Sequence, residues 1–257
     1  MPEPLIALLC GFGIALVTTP VGVSGAVFLL PVQLDLLKVP NPSVTPTNLL
    51  YNVVAGPGAL LRHRARLRSS LVGRLLCGTV PGVVVGACVR VWLVPDARTF
   101  RLVAAVVLLA LGSWLVVRTM RQGAETSVAR APRTPVLVAL SFAVGVLGGV
   151  YGIGGGSILA PILVGRGMRV ADVAPAALAS TFVTSVAGAF TFAVIALGAD
   201  GSIAPDWSIG LAAGFGGLAG GYLGARWSHL APERALRLLL GAVAIAVAVM
   251  YVVLALR

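Results

Sequence analysis

The sequence predicts an all-α, polytopic membrane protein made of two repeats in inverted orientation. Three observations lead to this prediction. Of its 257 residues, 58% are hydrophobic and only 11% are charged, whereas about 25% of the residues in a soluble domain are charged. Long apolar runs such as 102–117 and 238–256 recur along the chain, as is typical of transmembrane helices. Finally, the two halves share motifs in the same order. A soluble fold would instead need several helices that are hydrophobic on every face.

Eight apolar segments follow one another along the chain, four on each side of a basic, polar stretch, RTMRQGAETSVARAPRTP (118–135). Their predicted bounds are 5–37, 43–61, 70–94, 99–118, 135–165, 173–199, 206–227 and 234–256. We therefore expect an N-terminal repeat (1–118), a cytoplasmic linker (119–134) and a C-terminal repeat (135–257), which together form one integral membrane domain.

The two halves resemble each other in sequence. GVSGAVFLLP (22–31) aligns with GIGGGSILAP (152–161), and PNPSVTPTNLLYNVVAG (40–56) aligns with DVAPAALASTFVTSVAG (172–188). Three later positions also correspond: Gly78, Arg90 and Arg101 match Gly214, Arg226 and Arg237. Each match is short, but their shared order predicts an internal duplication, which is common among secondary transporters.

Charge placement predicts that the repeats are inverted. If all eight segments crossed the bilayer, the acidic loop DGSIAPD (200–206) would be cytoplasmic and the basic loop after Arg226 external, against the positive-inside rule. If segments 1 and 5 enter and leave on one side, the linker and the loop after Arg226 become cytoplasmic. DGSIAPD and the C-terminus then become external. One basic loop, near Arg98, fits this arrangement poorly because it is external.

Segment length supports the same arrangement. As one helix, segment 1 would be roughly 50 Å long, whereas the hydrocarbon core is about 30 Å thick. Each repeat would then consist of one re-entrant, broken helical hairpin and three transmembrane helices. Because three is an odd number of crossings, the second repeat is inverted relative to the first.

The motif GIGGGS (152–157) predicts a helix break. Glycine costs a helix interior roughly 1 kcal/mol per residue, and a proline such as Pro161 costs about 3 kcal/mol. A break inside the bilayer is tolerated only where the freed backbone groups are buried in protein or line a polar cavity. The N-terminus of the following half-helix carries about half a positive charge and binds anions. Residues 22–25 predict a matching break. A nucleotide-binding loop would need a preceding strand and a Gly-Lys-Ser/Thr end, and the sequence has neither.

Small polar side chains in the neighbouring segments complete the predicted site. Asn48 and Asn52 share one helical face, and Ser180 and Thr184 stand at the aligned positions. Donors of this kind suit an oxyanion, which offers only acceptors. The asparagines could instead serve only to bond helices together, and the sequence leaves both interpretations open. The predicted substrate-binding residues are Ser24, Gly25, Asn48, Asn52, Gly154, Gly155, Gly156, Ser157, Ser180, Thr181 and Thr184.

Composition and spacing argue against several other functions. The net charge of +11 comes mostly from short loops, where basic residues orient the protein, so no nucleic-acid partner is expected. Cys10, Cys77 and Cys88 form no CxxC pair and predict no metal site. No Asp or Glu lies deep within an apolar segment, so we expect no carboxylate proton relay, no catalytic residues and no cofactor.

Two further features have structural interpretations. Arg90 and Arg226 lie near segment ends, and their long side chains are expected to snorkel to the membrane interface. The alternative is that either arginine screens an anion at a mouth of the protein. GGLAGG (216–221) is expected to be a close-packing surface between helices.

At these motifs the sequence resembles the sulfite exporter TauE/SafE family of membrane transporters. The resemblance rests on GIGGGSILAPIL (152–163), ALASTFVTSVAG (177–188) and GGYLGARWSHLAPERALRLLLG (220–241), and it extends over nearly the whole chain. It implies export of a small sulfur-containing anion, sulfite or an organosulfonate, across a bacterial inner membrane. The N-terminal half departs from the glycine pattern, because Ala26 and Val27 stand where the other half has Gly156 and Ser157.

The leading functional hypothesis is therefore a secondary transporter and not an enzyme. Its expected partners are a small anionic substrate and the lipid bilayer, with a homodimer as a possible assembly. Two alternatives remain: a channel-like pore for small anions, and a membrane assembly partner that transports nothing.

Overall fold

The computed structural model describes residues 2–63, 70–93, 97–121, 132–198, 203–227 and 232–256. Over these ranges the regular structure is helical, with ten α-helices and no strand, which confirms the predicted all-α class. The helices are α1 (Glu3–Thr18), α2 (Ala26–Pro31), α3 (Asn41–His63), α4 (Ser70–Trp92), α5 (Ala97–Arg121), α6 (Thr134–Tyr151), α7 (Gly155–Gly165), α8 (Val170–Ala196), α9 (Trp207–Trp227) and α10 (Glu233–Leu256). Most of the predicted linker, 119–134, falls outside the described residues.

Four stretches of the described chain are long and apolar enough to cross a membrane: Glu3–Val21, Ser70–Trp92, Thr134–Tyr151 and Val170–Ala196. They lie in predicted segments 1, 3, 5 and 6. The other four segments are helical as well, but α3, for example, carries the polar residues Asn41, Thr45, Asn48 and Asn52. These polar side chains lower the hydropathy of a helix that is nonetheless largely buried.

Both predicted helix breaks are present, and each contains a glycine with positive φ directly after the helical turns. α1 ends at Thr18 and passes through a 3-10 turn (Thr19–Val21) to Gly22, whose φ is 78°. α6 ends at Tyr151 and is followed by Gly152 with a φ of 67°. These two glycines, aligned in the sequence, both adopt the left-handed conformation that commonly ends a helix. The chain then resumes helix at Ala26 in α2 and at Gly155 in α7.

The prolines of the two half-helices that follow the breaks have different effects. α2 ends at Pro31 and gives way to a π-helical turn, Val32–Leu36. Proline lacks the N–H that an α-helix needs, so a helix at this point must change its hydrogen-bond pattern. In α7 the aligned Pro161 is accommodated inside a helix of 11 residues.

Glycines set two close helix contacts, and their register gives the helix directions. A Cβ on Gly78, Gly82 or Gly86 of α4 would collide with the carbonyls of Val138, Phe142 and Val146 of α6, in that order. Likewise, Gly216, Gly220 and Gly224 of α9 face the carbonyls of Leu8, Phe12 and Leu16 of α1. Residue numbers rise together in both pairs, so α4 runs parallel to α6 and α9 runs parallel to α1. The packing interpretation of GGLAGG is confirmed.

The long helices α3 and α8 pack at the centre of the molecule in opposite directions. Gly56 of α3 lies against Phe182 of α8, and Leu49 lies against Gly188, so residue numbers rise in one helix as they fall in the other. α3 also packs on α9, where Gly210, Gly214 and Gly221 meet Leu50, Val54 and Ala59, a parallel register. α8 packs on α4 through Thr79–Ser180 and Val83–Gly188, again a parallel register.

Two sets of directions follow from these registers. Helices α1, α3 and α9 run one way, and α4, α6 and α8 run the opposite way. Gly154 faces Thr181 and Ser185 of α8, whereas Gly156 faces Ala177, so α7 runs antiparallel to α8 and therefore turns back along α6. α5 and α10 pack antiparallel, with Gly112 against Ile245 and Val116 against Gly241.

Candidate functional site

The two helix breaks contact each other, although they lie in opposite halves of the chain. The Ser24 N–H donates a hydrogen bond of 3.3 Å to Ser157 Oγ, 133 residues away in the sequence. Ser157 Oγ itself donates to the Ile153 carbonyl at 2.9 Å and lies 3.3 Å from Thr181 Oγ1 of α8. The two glycine motifs therefore meet at a buried pair of serines.

One face of α3 holds the end of α6, and we call its three residues, Thr45, Asn48 and Asn52, the α3 clamp. They donate in order to three consecutive carbonyls: Thr45 Oγ1 to Val150 at 3.1 Å, Asn48 Nδ2 to Tyr151 at 3.4 Å, and Asn52 Nδ2 to Gly152 at 3.2 Å. The last carbonyls of a helix have no partner inside it, so the clamp supplies donors that the broken helix lacks.

The same asparagines reach the first break. Asn48 Nδ2 also donates to the Ala26 carbonyl at 3.0 Å, and Ser24 Oγ donates to Asn52 Oδ1. The amide N–H groups therefore bond to backbone carbonyls in this conformation, as expected of interhelical bonding. Asn48 Oδ1 is buried without a hydrogen-bond partner among the described residues.

The aligned residues of α8 make a different set of bonds. The Gly155 N–H donates to Thr184 Oγ1 at 3.3 Å, and Thr184 Oγ1 donates to the Ser180 carbonyl of its own helix. Ser180 Oγ lies 3.1 Å from Thr79 Oγ1 and faces α4. The clamp on α6 thus has no counterpart made by Ser180 and Thr184 on the end of α1.

The three glycines that open α7 allow the second break to lie directly against α8 and α4. A Cβ on Gly154 would be 2.7 Å from Thr181 Cγ2, and a Cβ on Gly155 would be 2.6 Å from Thr79 Cγ2. A Cβ on Gly156 would collide with the Ala177 carbonyl. The N–H groups of Gly155, Gly156 and Ser157 belong to the first turn of α7, which offers them no partner inside the helix.

Two cavities flank the junction of the breaks. The first lies between α1, α3, α8 and α9. We call it the polar cavity, and its polar lining consists of Thr19, Ser24, Tyr51, Asn52 and Thr181. The second lies between the breaks and α5 and α10. We call it the apolar cavity; its lining includes Val27, Phe28, Leu108, Leu115 and Ile158, with Ser157 at one edge.

All eleven predicted site residues lie at or next to the junction of the breaks, but they face different ways. Ser24, Gly25, Asn52 and Thr181 line the polar cavity, and Ser157 lines the apolar cavity. Gly154, Gly155 and Gly156 pack against α4 and α8. Asn48, Ser180 and Thr184 are fully buried in hydrogen bonds between or within helices.

The expectation for Arg90 is wrong. Its side chain is only 3% exposed and does not snorkel. It donates from Nε to Thr45 Oγ1 at 3.1 Å and from Nη2 to both the carbonyl and Oδ1 of Asn41 at 2.8 Å. The acceptors come from the first turns of α3. Arg226, by contrast, is exposed.

Three further polar residues of the junction were not predicted. Thr45 stands three positions before Asn48 on the same helical face, so the spacing could have identified it. Thr79 and Tyr51 occur singly in apolar or small-residue surroundings, which are typical of ordinary core residues.

Comparison with known protein families gives a match that covers almost the whole chain. Residues 7–251 match the family described as sulfite exporter TauE/SafE. Neither the comparison with curated proteins nor the comparison with solved structures gave a match. The match includes both helix breaks, α3 and α8. The chain therefore belongs to the sulfite exporter TauE/SafE family, whose members are membrane transporters and not enzymes.

Proposed function

We propose that this protein exports a small sulfur-containing oxyanion, sulfite or an organosulfonate, across the bacterial inner membrane. The observation that carries the proposal is the meeting of both helix breaks at one buried polar junction, joined by the bond from the Ser24 N–H to Ser157. Discontinuous helices that meet in this way form the substrate sites of many secondary transporters.

We further propose that the halves are inverted repeats, each with one re-entrant hairpin and three crossings. The packing registers support this, because equivalent helices run in opposite directions in every pair: α1 and α6, α3 and α8, α4 and α9, and α5 and α10. The contacts are also exchanged between the halves, since α4 packs on α6 as α9 packs on α1. An odd number of crossings per repeat produces this relation.

Electrostatics supports an anion at the junction. The predicted site residues are all uncharged, and the N-terminus of α7, the positive end of its helix dipole, lies beside the junction and favours negative charge there. With the cell interior negative, moving one negative charge outward is favourable by about 2.3 kcal/mol per 100 mV. Export in this direction therefore needs no coupled proton, which agrees with the lack of acids deep in the apolar segments.

Alternating access would require the hydrogen bonds across the junction to break and others to form in their place. The Ser24–Ser157 and Ser24–Asn52 bonds join the first break to the second break and to α3, so a motion of one hairpin against the other must break them. Ser24 and Asn52 line the polar cavity, and Ser157 lines the apolar cavity. We propose that the bonds act as the barrier between the two cavities.

The test is anion flux in proteoliposomes that contain the purified protein, with sulfite and methanesulfonate as substrates. Gly156→Ala should abolish flux, because a Cβ there meets the Ala177 carbonyl of α8. Gly73→Ala, on the exposed face of α4, is the matched control, because a Cβ there meets nothing within 4 Å.

Three outcomes are distinguishable. Saturating flux with trans-stimulation supports a carrier, whereas flux that neither saturates nor shows trans-stimulation indicates a channel-like pore. If the unaltered protein moves no anion, transport is refuted and an assembly role becomes the better explanation.

A further inference from the structure

Tyr51 is the largest of the polar side chains that line the polar cavity. The proposed transport cycle assigns it no role. Its side chain is 1% exposed, and its ring is fixed in place by close packing. A Cβ on Gly217 of α9 would lie 2.6 Å from Tyr51 Cε2, so α9 leaves the ring little room to move.

The Tyr51 hydroxyl points at the first helix break. A Cβ on Gly25 would collide with Tyr51 Oη, so glycine at this position lets the hydroxyl lie directly against the backbone beside Ser24. Tyr51 also lines the polar cavity. An oxygen of a ligand bound there can accept a hydrogen bond from its hydroxyl.

The chemistry of the cavity lining constrains the charge of such a ligand. The polar lining residues, Thr19, Ser24, Tyr51, Asn52 and Thr181, are all neutral. Neutral donors can hold one negative charge, but each additional buried charge without a nearby cation is costly. Arg90, the buried cation of α4, is directed at Asn41 and Thr45, and it does not line this cavity.

We propose that the polar cavity is the binding site for a monoanion and that the Tyr51 hydroxyl donates a hydrogen bond to one of its oxygens. Hydrogensulfite and sulfonates with a single charge belong to this class, whereas sulfate, a dianion of similar shape, is rejected. This inference rests on the proposed function, since it identifies the substrate charge and a contact residue of the same site.

The experiment compares Tyr51→Phe with Tyr222→Phe in the intact protein. The first change removes the cavity hydroxyl and keeps the ring. The second makes the same chemical change at an exposed position of α9. Methanesulfonate is the probe, and two quantities are measured: its half-saturating concentration for flux, and its protection of the purified protein against thermal unfolding. Unfolding of each variant without ligand checks that the fold is intact.

We expect Tyr51→Phe to raise the half-saturating concentration and the protective concentration of methanesulfonate about tenfold, as befits one lost hydrogen bond to a charged group. Tyr222→Phe should leave both unchanged, and sulfate should neither protect nor compete. If methanesulfonate is carried but Tyr51→Phe behaves like the unaltered protein, or sulfate competes equally, the inference is overturned while the transport proposal stands. If no flux occurs but Tyr51-dependent protection does, the site is supported and transport fails. If methanesulfonate neither moves nor protects, both fail.

Discussion

At the scale of single residues, the α3 clamp stabilises a helix end that its own chain leaves unsatisfied. Thr45, Asn48 and Asn52 bond to the carbonyls of residues 150–152, and in a bilayer no water is present to do so. Thr45 also accepts the Nε hydrogen bond of Arg90. A polar side chain of this kind contributes to stability because its loss would remove a hydrogen bond from each of two buried groups.

We predict that Thr45→Val lowers the thermal unfolding midpoint of the purified protein in detergent. The isosteric change removes the hydrogen bond to the Val150 carbonyl and one hydrogen bond of Arg90, at a cost of about 1–3 kcal/mol for each bond lost. Thr191→Val is the matched control, because Thr191 bonds only to the Ala187 carbonyl of its own helix. Equal midpoints for the two variants would contradict the clamp.

At the scale of helices, backbones are in direct contact wherever glycine permits it. Such contacts drive association in membranes, where there is no hydrophobic force between helices. The α1–α9 interface is one case, with glycines of α9 seated against carbonyls of α1. Gly13 of α1, by contrast, has no neighbour within 4 Å of an added Cβ and takes no part in this contact.

We expect Gly220→Ala and Gly13→Ala to change stability in opposite directions. A Cβ on Gly220 would collide with the Phe12 carbonyl, whereas a Cβ on Gly13 meets nothing within 4 Å. Overpacking at Gly220 should cost about 1–3 kcal/mol, and Ala in place of Gly13 should gain up to about 1 kcal/mol of helix propensity. Thermal unfolding of both variants measures the difference. Destabilisation of equal size at both positions would show that helix contact is not the cause.

At the scale of the whole molecule, the proposed inversion determines which loops and termini lie on the same side of the membrane. α9 should begin on the outer side and α10 should end there. The linker should lie inside, as the positive-inside rule requires. The informative positions, Ser202, Arg257 and Gly123, lie outside the described residues, so labelling provides evidence independent of the helix packing.

Cysteine labelling should place Ser202→Cys and Arg257→Cys outside and Gly123→Cys inside. The background is a variant in which Cys10, Cys77 and Cys88 are replaced by alanine, and the reagent is a membrane-impermeant maleimide applied to intact and to permeabilised cells. The first two positions should react in intact cells, and the third only after permeabilisation. Reaction of positions 202 and 257 from opposite sides would exclude the inverted arrangement.

The helix breaks can be predicted from the sequence because glycine and proline act locally. Gly22 and Gly152 adopt positive φ, and the dense glycines of GIGGGS prevent continuous helix whatever surrounds them. The all-α class followed from composition in the same direct way.

Side-chain partners could not be predicted, because they depend on which helices become neighbours. Arg90 was expected at the interface, yet α3 brings Asn41 and Thr45 to it. The spacing of Asn48 and Asn52 predicts that they share one helical face. It does not predict that their amide groups donate to the C-terminal end of α6, about 100 positions later in the chain. Tyr51 resembled a core aromatic, and only the approach of Gly25 reveals where its hydroxyl lies.

The α3 clamp affects the relative energies of the conformations that a transport cycle would need. It secures the tip of α6 with three bonds, while Thr184 directs its hydroxyl to its own helix and Ser180 pairs with Thr79. If the halves trade roles during turnover, the mirrored state cannot recover an equal set of bonds at the tip of α1. Under the proposed carrier mechanism, the two orientations would then be unequal in energy, and the empty protein would rest preferentially facing one compartment.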